Sequence, residues 1–171
     1  MAGLVAQESA PPPQKTAASV TPKPLIPLKI TVVISRWQGD KKTASLPFTL
    51  SVNSDDRNGT SLRMSEDTPV PQGAMSAPNV PVASYSYRQI GTNIDATAQT
   101  LEDNRFSLTL AIQDSQVLSD AAKPSGLPSF QSFSSTMHII VKDGQTAQYT
   151  TATDKISGEV VKVDVTLNVI H

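Results

Sequence analysis

Side chains able to do acid–base, nucleophilic or metal chemistry are sparse among these 171 residues. Cysteine is absent, which excludes thiolate catalysis, a Cys-ligated metal and a disulfide framework. The histidines are His138 and the C-terminal His171. A hydrolytic nucleophile needs a base beside it and a group to orient that base, and neither histidine has such a setting in sequence. Gly-x-Ser-x-Gly does not occur. His138 alternates out of the apolar Phe133–Val141 series and reads as a solvent-side strand residue. Asp55-Asp56-Arg57-Asn58-Gly59 offers oxygen ligands but lacks the spacing and terminal Glu of a calcium loop, so it reads as a polar hairpin tip. Glu66-Asp67 and Glu102-Asp103 are adjacent pairs, and neighbours on a strand point to opposite faces, which makes them poor acid–base couples. Asn58-Gly59-Thr60 fits a glycosylation sequon, which matters only in a eukaryotic secretory pathway. The expectation is a non-enzymatic chain with no cofactor and no metal.

Charge narrows the partners. A formal net charge of -1 and a pI near 6.1, with Lys41-Lys42 as the only adjacent basic pair, argue against nucleic acid. No apolar run approaches the length of a transmembrane helix. Residues 1–27 are rich in Ala, Pro, Ser, Gln and Lys, with Pro11-Pro12-Pro13, Pro22, Pro24 and Pro27, and are expected to form a disordered tether. Met1-Ala2-Gly3-Leu4-Val5-Ala6-Gln7 reads like the remnant of a secretory signal, with a small residue at Ala6 before a cleavage point but no positive n-region. Export is the expectation drawn from it.

From Leu28 to the end, the elements that must position any site are strands. Ile30, Val32 and Ile34 alternate with Thr31 and Val33; Phe48, Leu50 and Val52 alternate with Thr49 and Ser51. Phe106, Leu108, Leu110 and Ile112 share one face, as do Phe133, Ser135, Met137, Ile139 and Val141, and then Val161, Val163, Val165, Leu167 and Val169. Period two with one apolar face predicts antiparallel sheets covered on one side. Turn chemistry falls between the runs at Asn58-Gly59, Asp103-Asn104, Asp143-Gly144 and Ser157-Gly158. Pro69, Pro71, Gly73, Pro78 and Pro81 predict a long loop over 69–84, and Lys123-Pro124-Ser125-Gly126-Leu127-Pro128 a second over 118–129, with a one-turn helix at 116–122. The predicted fold is an all-β, sandwich-like antiparallel domain of about 7–9 strands over 28–171.

An ordered set of segments resembles the C-terminal β-core of the bacterial secretins. Ser45-Leu46-Pro47 is similar to their Ser-x-Pro step, and Phe48 to Val52 to the strand after it. Ser61-Leu62-Arg63-Met64 leading to Thr68-Pro69-Val70-Pro71 resembles the strand and Val-Pro that open the gate segment. Tyr87-Arg88-Gln89-Ile90-Gly91-Thr92-Asn93-Ile94 resembles the Tyr-x-x-Val-Gly strand. Leu101 to Asp114 resembles the acidic turn and Leu-rich strand, and Asp143-Gly144-Gln145-Thr146 the late Gly-Gln-Thr hairpin. Two steps differ: Ala96-Thr97-Ala98 stands where secretins have Val-Thr-Pro, and Gln148 to Thr153 replaces their double glycine, with no lip following.

The resemblance implies a reduced relative of that core, an exported envelope protein, periplasmic or outer-membrane associated in a Gram-negative-type bacterium. It implies an assembly or interaction role linked to secretion or pilus machinery. Partners would be proteins, or further copies of the chain joined through strand edges; membrane contact is left open. The candidate interaction residues are Trp37, Val70, Pro71, Tyr85, Tyr87, Arg88 and Asn93. For the tyrosines, packing in the core or at an edge competes with a contact role. A different class of function, a monomeric ligand- or carbohydrate-binding sandwich using the 69–84 loop, would need a pocket with convergent polar groups.

Overall fold

The computed structural model describes residues 24–72, 84–118 and 129–171. These form eight strands and no helix: β1 (Pro27–Gln38), β2 (Lys41–Asn53), β3 (Thr60–Gln72), β4 (Ser84–Thr100), β5 (Arg105–Leu118), β6 (Ser129–Lys142), β7 (Thr146–Thr153) and β8 (Glu159–Val169). Two four-stranded antiparallel sheets result, in the orders β2-β1-β8-β7 and β3-β4-β5-β6. We call them sheets A and B. Sheet B is inserted in the chain between the two halves of sheet A.

The predicted alternation builds the core. Leu28, Ile30, Val32 and Ile34 of β1 are fully buried, and they meet Leu108, Leu110 and Ile112 of β5 and Val163, Val165 and Leu167 of β8 in one cluster. Each fully buried aliphatic side chain contributes roughly 1.5–3 kcal/mol, so this cluster holds the sheets face to face. Phe48, Leu62, Phe133, Tyr149 and Val169 close its margins. β1 begins at Pro27, one residue before the expected boundary. A proline is tolerated at the first position of a strand, and Ile26 already packs on the core and exchanges bonds with Ser54.

Turn chemistry divides into two kinds. Asp103 and Asn104 both take positive φ (61° and 53°), as a type I′ hairpin requires, and join β4 to β5. Ser157-Gly158 lies in the β7–β8 hairpin, as expected. Asn58-Gly59, at a bend, and Asp143-Gly144, in a turn, do not close hairpins, a correction to the sequence reading: β2 and β3 lie in different sheets, and so do β6 and β7. Both segments carry the chain from one sheet to the other, and a turn signal alone cannot distinguish the two outcomes.

Two expected loops are shorter at their ends. β3 continues through Pro69 and Pro71 to Gln72, with unbroken register to Tyr87 and Tyr85. Two positions apart, both prolines turn their nitrogens the same way, to the open side of an edge strand, where no ladder bond is lost. β5 continues through Gln116, Val117 and Leu118, paired with Gln131, Phe130 and Ser129, so these residues are extended rather than helical. The rest of the expected helix and loops falls outside the described residues.

Candidate functional site

The sandwich has two flanks. Thr60 Oγ1 of β3 donates to the Ser51 carbonyl of β2 (2.9 Å), and the Ser135 and Thr150 hydroxyls of β6 and β7 are 3.2 Å apart. The edges β2 and β3 therefore share one flank, and β6 and β7 share the other. The β2/β3 flank carries Pro47, Pro69 and Pro71 together with Lys41, Lys42, Arg63, Glu66 and Asp67, the devices that blunt an exposed edge. In contrast, β6 from Ser129 to Val141 and β7 from Thr146 to Thr153 contain no proline, lysine, arginine, aspartate or glutamate. That flank presents backbone donors and acceptors with fewer such devices: Lys142 at the end of β6 and the bulge of β7 between Gln148 and Thr150.

Beyond the core, β4 outruns β5. Its ladder with β5 ends at Gly91 opposite Ser115, while its ladder with β3 continues to Ser84 opposite Gln72. Residues 66–72 and 84–90 thus form a two-stranded arm. Tyr85 and Tyr87 continue the outward series of Asn93, Asp95 and Thr97, and they are 56 % and 73 % exposed. Their exposure counts against core packing, the competing reading for these tyrosines. Arg88 points the other way and lays its guanidinium 4.5 Å from the ring centre of Phe130 on β6, a contact worth about 0.5–1 kcal/mol at an exposed site.

The seven candidate residues fall in two places. Val70, Pro71, Tyr85, Tyr87 and Arg88 gather on the arm, with Val70 half-buried and Pro71 in register with Tyr85. Asn93 lies further along β4, half-buried, its Oδ1 buried and without a hydrogen-bond partner. Trp37 is apart from all of them, on sheet A, and is half-buried rather than exposed because lysines 42 and 162 cover its ring at 5.2 and 4.7 Å. His138 is exposed, as expected, with Nδ1 3.0 Å from the Thr109 hydroxyl. No group of three or more potential metal-ligating side chains clusters among the described residues.

One constellation escaped the sequence reading. Arg36 Nη2 donates to Asp114 Oδ2 (2.5 Å), and Nη1 donates to Glu159 Oε2 (2.7 Å) and Gln131 Oε1 (3.1 Å). Thr92 Oγ1 donates to the other Asp114 oxygen at 2.7 Å. The side chains of Arg36 and Asp114 are only 4 % and 6 % exposed. This polar layer ties β1 and β8 of sheet A to β4, β5 and β6 of sheet B, at the depth where the arm leaves the sandwich. The signal was present: Arg36 falls on the phase of Leu28, Ile30, Val32 and Ile34, and Asp114 on that of Phe106 through Ile112.

At the root of β3, the Ser61 hydroxyl donates to Asp95 Oδ1, and so does Arg63 Nη2, each at 2.6 Å. The serine hydrogen bond and then the arginine hold the Asp95 carboxyl below its ordinary range. A depressed folded-state pKa contributes stability above the unfolded value and loses it as pH falls through the folded one. Acidification below the ordinary carboxylate range therefore weakens the β3–β4 pairing. A carboxyl NMR titration should place Asp95 lower than in an unfolded peptide, and Asp95→Asn should remove that part of the acid sensitivity.

No protein-family model and no curated protein sequence matches this chain. Solved structures do. The InvG secretin of the Salmonella SPI-1 type III secretion injectisome superposes with a TM-score of 0.61 at 10 % identity, over 86 % of this chain and 65 % of that one. The fold is that of the secretin β-domain. A second InvG structure, its secretin-domain β-barrel, gives 0.58 at 11 % identity over 86 % and 64 %. The type IV competence pilus secretin PilQ of V. cholerae gives 0.51 at 10 % identity over 86 % and 62 %. The chain thus spans under two-thirds of each of these secretin structures, and at such identity the likeness carries the fold alone.

Proposed function

We propose that this chain is a non-enzymatic assembly module of the bacterial envelope, exported and associated with secretion or pilus machinery, that works by pairing its strand edges. The observation that carries this reading is the asymmetry of the flanks. The β6/β7 flank of one copy, free of proline and of charge along most of its length, can receive the β2/β3 flank of the next, both sheets continuing across the junction. Because the two flanks differ, the contact is head-to-tail, and repeated rotation closes a ring. Proline placement sets its register: on β3, outward donors are missing at Pro69 and Pro71, so pairing is confined to the stretch from Thr60 to Thr68. The secretin fold and the envelope setting of secretion systems support the same reading.

Light scattering on the purified chain, with and without mild detergent, tests it. The expected result is a discrete, ring-sized oligomer. A monomer in both conditions would sink the assembly reading and turn the search to a soluble ligand.

The arm tyrosines supply a further check. Since Tyr85 and Tyr87 are exposed, replacing both with Ser should change monomer stability by less than about 0.5 kcal/mol per site. The same change should reduce the oligomer fraction, as removal of aromatic interface anchors does. An oligomer of unchanged mass and midpoint would remove the arm from the interface.

A further inference from the structure

The edges β3 and β6 close the same cross-strand rows of sheet B from opposite sides. One row runs Met64, Thr92, Asp114, Phe133, each directly opposite the next. In sheet A the matching row is Ala44, Arg36, Val161, Ala152. The Arg36–Asp114 ion pair ties the two rows together. At the β3 end, Met64 shares the inward phase of Leu62 and of its buried ladder partner Thr92, yet it is 68 % exposed. A long apolar side chain is thus turned toward the space between the sheets and left largely in water.

The other end of these rows holds a cavity of about 160 Å³ between the edges β6 and β7, lined by Phe133, Ala152, Val161, Arg36 and Gln131 among others. An apolar cavity of about 150 Å³ holds a benzene ring, so this one has room for a side chain. Its polar walls are already engaged. Arg36 donates to Asp114, Glu159 and Gln131, and the Gln131 amide donates to Asp154. That leaves the faces of Phe133, Ala152 and Val161 for an occupant, which suits a flexible thioether beside an aromatic ring.

We infer that Met64 of one copy fills this cavity on the next, a contact that rests on the edge pairing proposed above and fixes its register. β3 and β6 run in opposite directions within sheet B, so β3 beside a neighbour's β6 makes one more antiparallel ladder. Rotation about an axis roughly parallel to the strands keeps each residue at its own height. The row that ends at Phe133 therefore continues into the neighbour's Met64. That methionine lies within the Thr60–Thr68 stretch of β3 that proline leaves able to pair.

The chain has no cysteine, so an engineered pair reports the register directly. The adjacent row runs Ser65, Gly91, Ser115, Ser132, and both terminal serines are exposed. In the full chain, Ser65→Cys/Ser132→Cys should give a ladder of disulfide-linked copies on mild oxidation. Facing Cα atoms of paired strands lie about 4.5–5.5 Å apart, within disulfide reach. Ser65→Cys/Ser134→Cys, shifted by two residues, should lose that ladder. Met64→Ser should weaken association at least about tenfold, as loss of a buried methionine does, with the unfolding midpoint of the monomer unchanged. Met64→Leu should retain association. Light scattering on the unmodified chain separates this contact from assembly itself: a monomer there overturns both. An oligomer whose Ser132 variant does not cross-link, or links less than the Ser134 variant, or which tolerates Met64→Ser, overturns the Met64 contact alone.

Discussion

Replacing Arg36 with Met should lower the unfolding free energy by about 3–5 kcal/mol, the cost of breaking a buried ion pair from one side. For a chain of this size that corresponds to a fall of roughly 10 °C in Tm. The reason is the charge balance of a largely buried layer. Arg36 alone faces both Asp114 and Glu159, whose side chains are 6 % and 15 % exposed. Methionine matches the arginine stem in volume but leaves two carboxylates without a cation, with Thr92 and Gln131 keeping only part of their bonds. Lysine should not rescue it. A single ammonium is a point donor, whereas the guanidinium fork reaches carboxylates on two different sheets at once. Arg36→Met/Asp114→Leu/Glu159→Met should recover most of the loss, because an apolar layer of similar volume replaces the whole network. Urea denaturation at fixed protein concentration measures each of these variants. A loss under about 1 kcal/mol for Arg36→Met would mean that water already reaches this layer.

That network shows where sequence reading succeeds and where it stops. The strands were legible because period-two alternation is a property of single segments: Phe106 to Ile112 declares its buried face without knowing its neighbour. The pairing of sheets is not local. Asp143-Gly144 has the composition of a hairpin and makes a crossover, since the next strand, Thr146 to Thr153, pairs with β8 rather than β6. Pro69 and Pro71 looked like loop punctuation because proline excludes a central strand, yet an edge strand accepts them. The arm tyrosines were found by position, but their exposure depends on where β5 stops accompanying β4. Arg36 and Asp114 were missed because each is a polar residue at the end of an apolar series, and a single segment does not show its partner. They are 78 positions apart in the chain, and only the fold reveals that each charge answers the other.

Gly91→Ala should cost at least about 2 kcal/mol and detach the arm, the second large effect expected here. Gly91 has φ of 140°, which L side chains rarely adopt. A Cβ there would collide with the Met64 carbonyl oxygen and lie 2.7 Å from Ser65 Cα. Both obstacles are backbone of β3, so no side-chain rotation relieves them. The residue is also the junction: its N–H donates to Ser115 Oγ (3.1 Å), the Ser115 hydroxyl donates back to its carbonyl (3.3 Å), and beyond it the ladder of β4 runs with β3 alone. Alanine must push β3 away at Met64–Ser65, which breaks the arm's ladder at its root. Hydrogen exchange should then show lost protection at the paired amides of 60–70 and 84–90, with those of β1 and β8 retained. Uniform loss across both sheets would mean that the arm and the sandwich unfold as one unit. Unchanged exchange would show that the close approach at Gly91 is absent in solution. The glycine of the Tyr-x-x-Val-Gly pattern thus has a physical reason in this chain. It is where one edge strand crosses closely enough to its neighbour for the pair to leave the sandwich together, and that arm is what carries Tyr85 and Tyr87 to the surface.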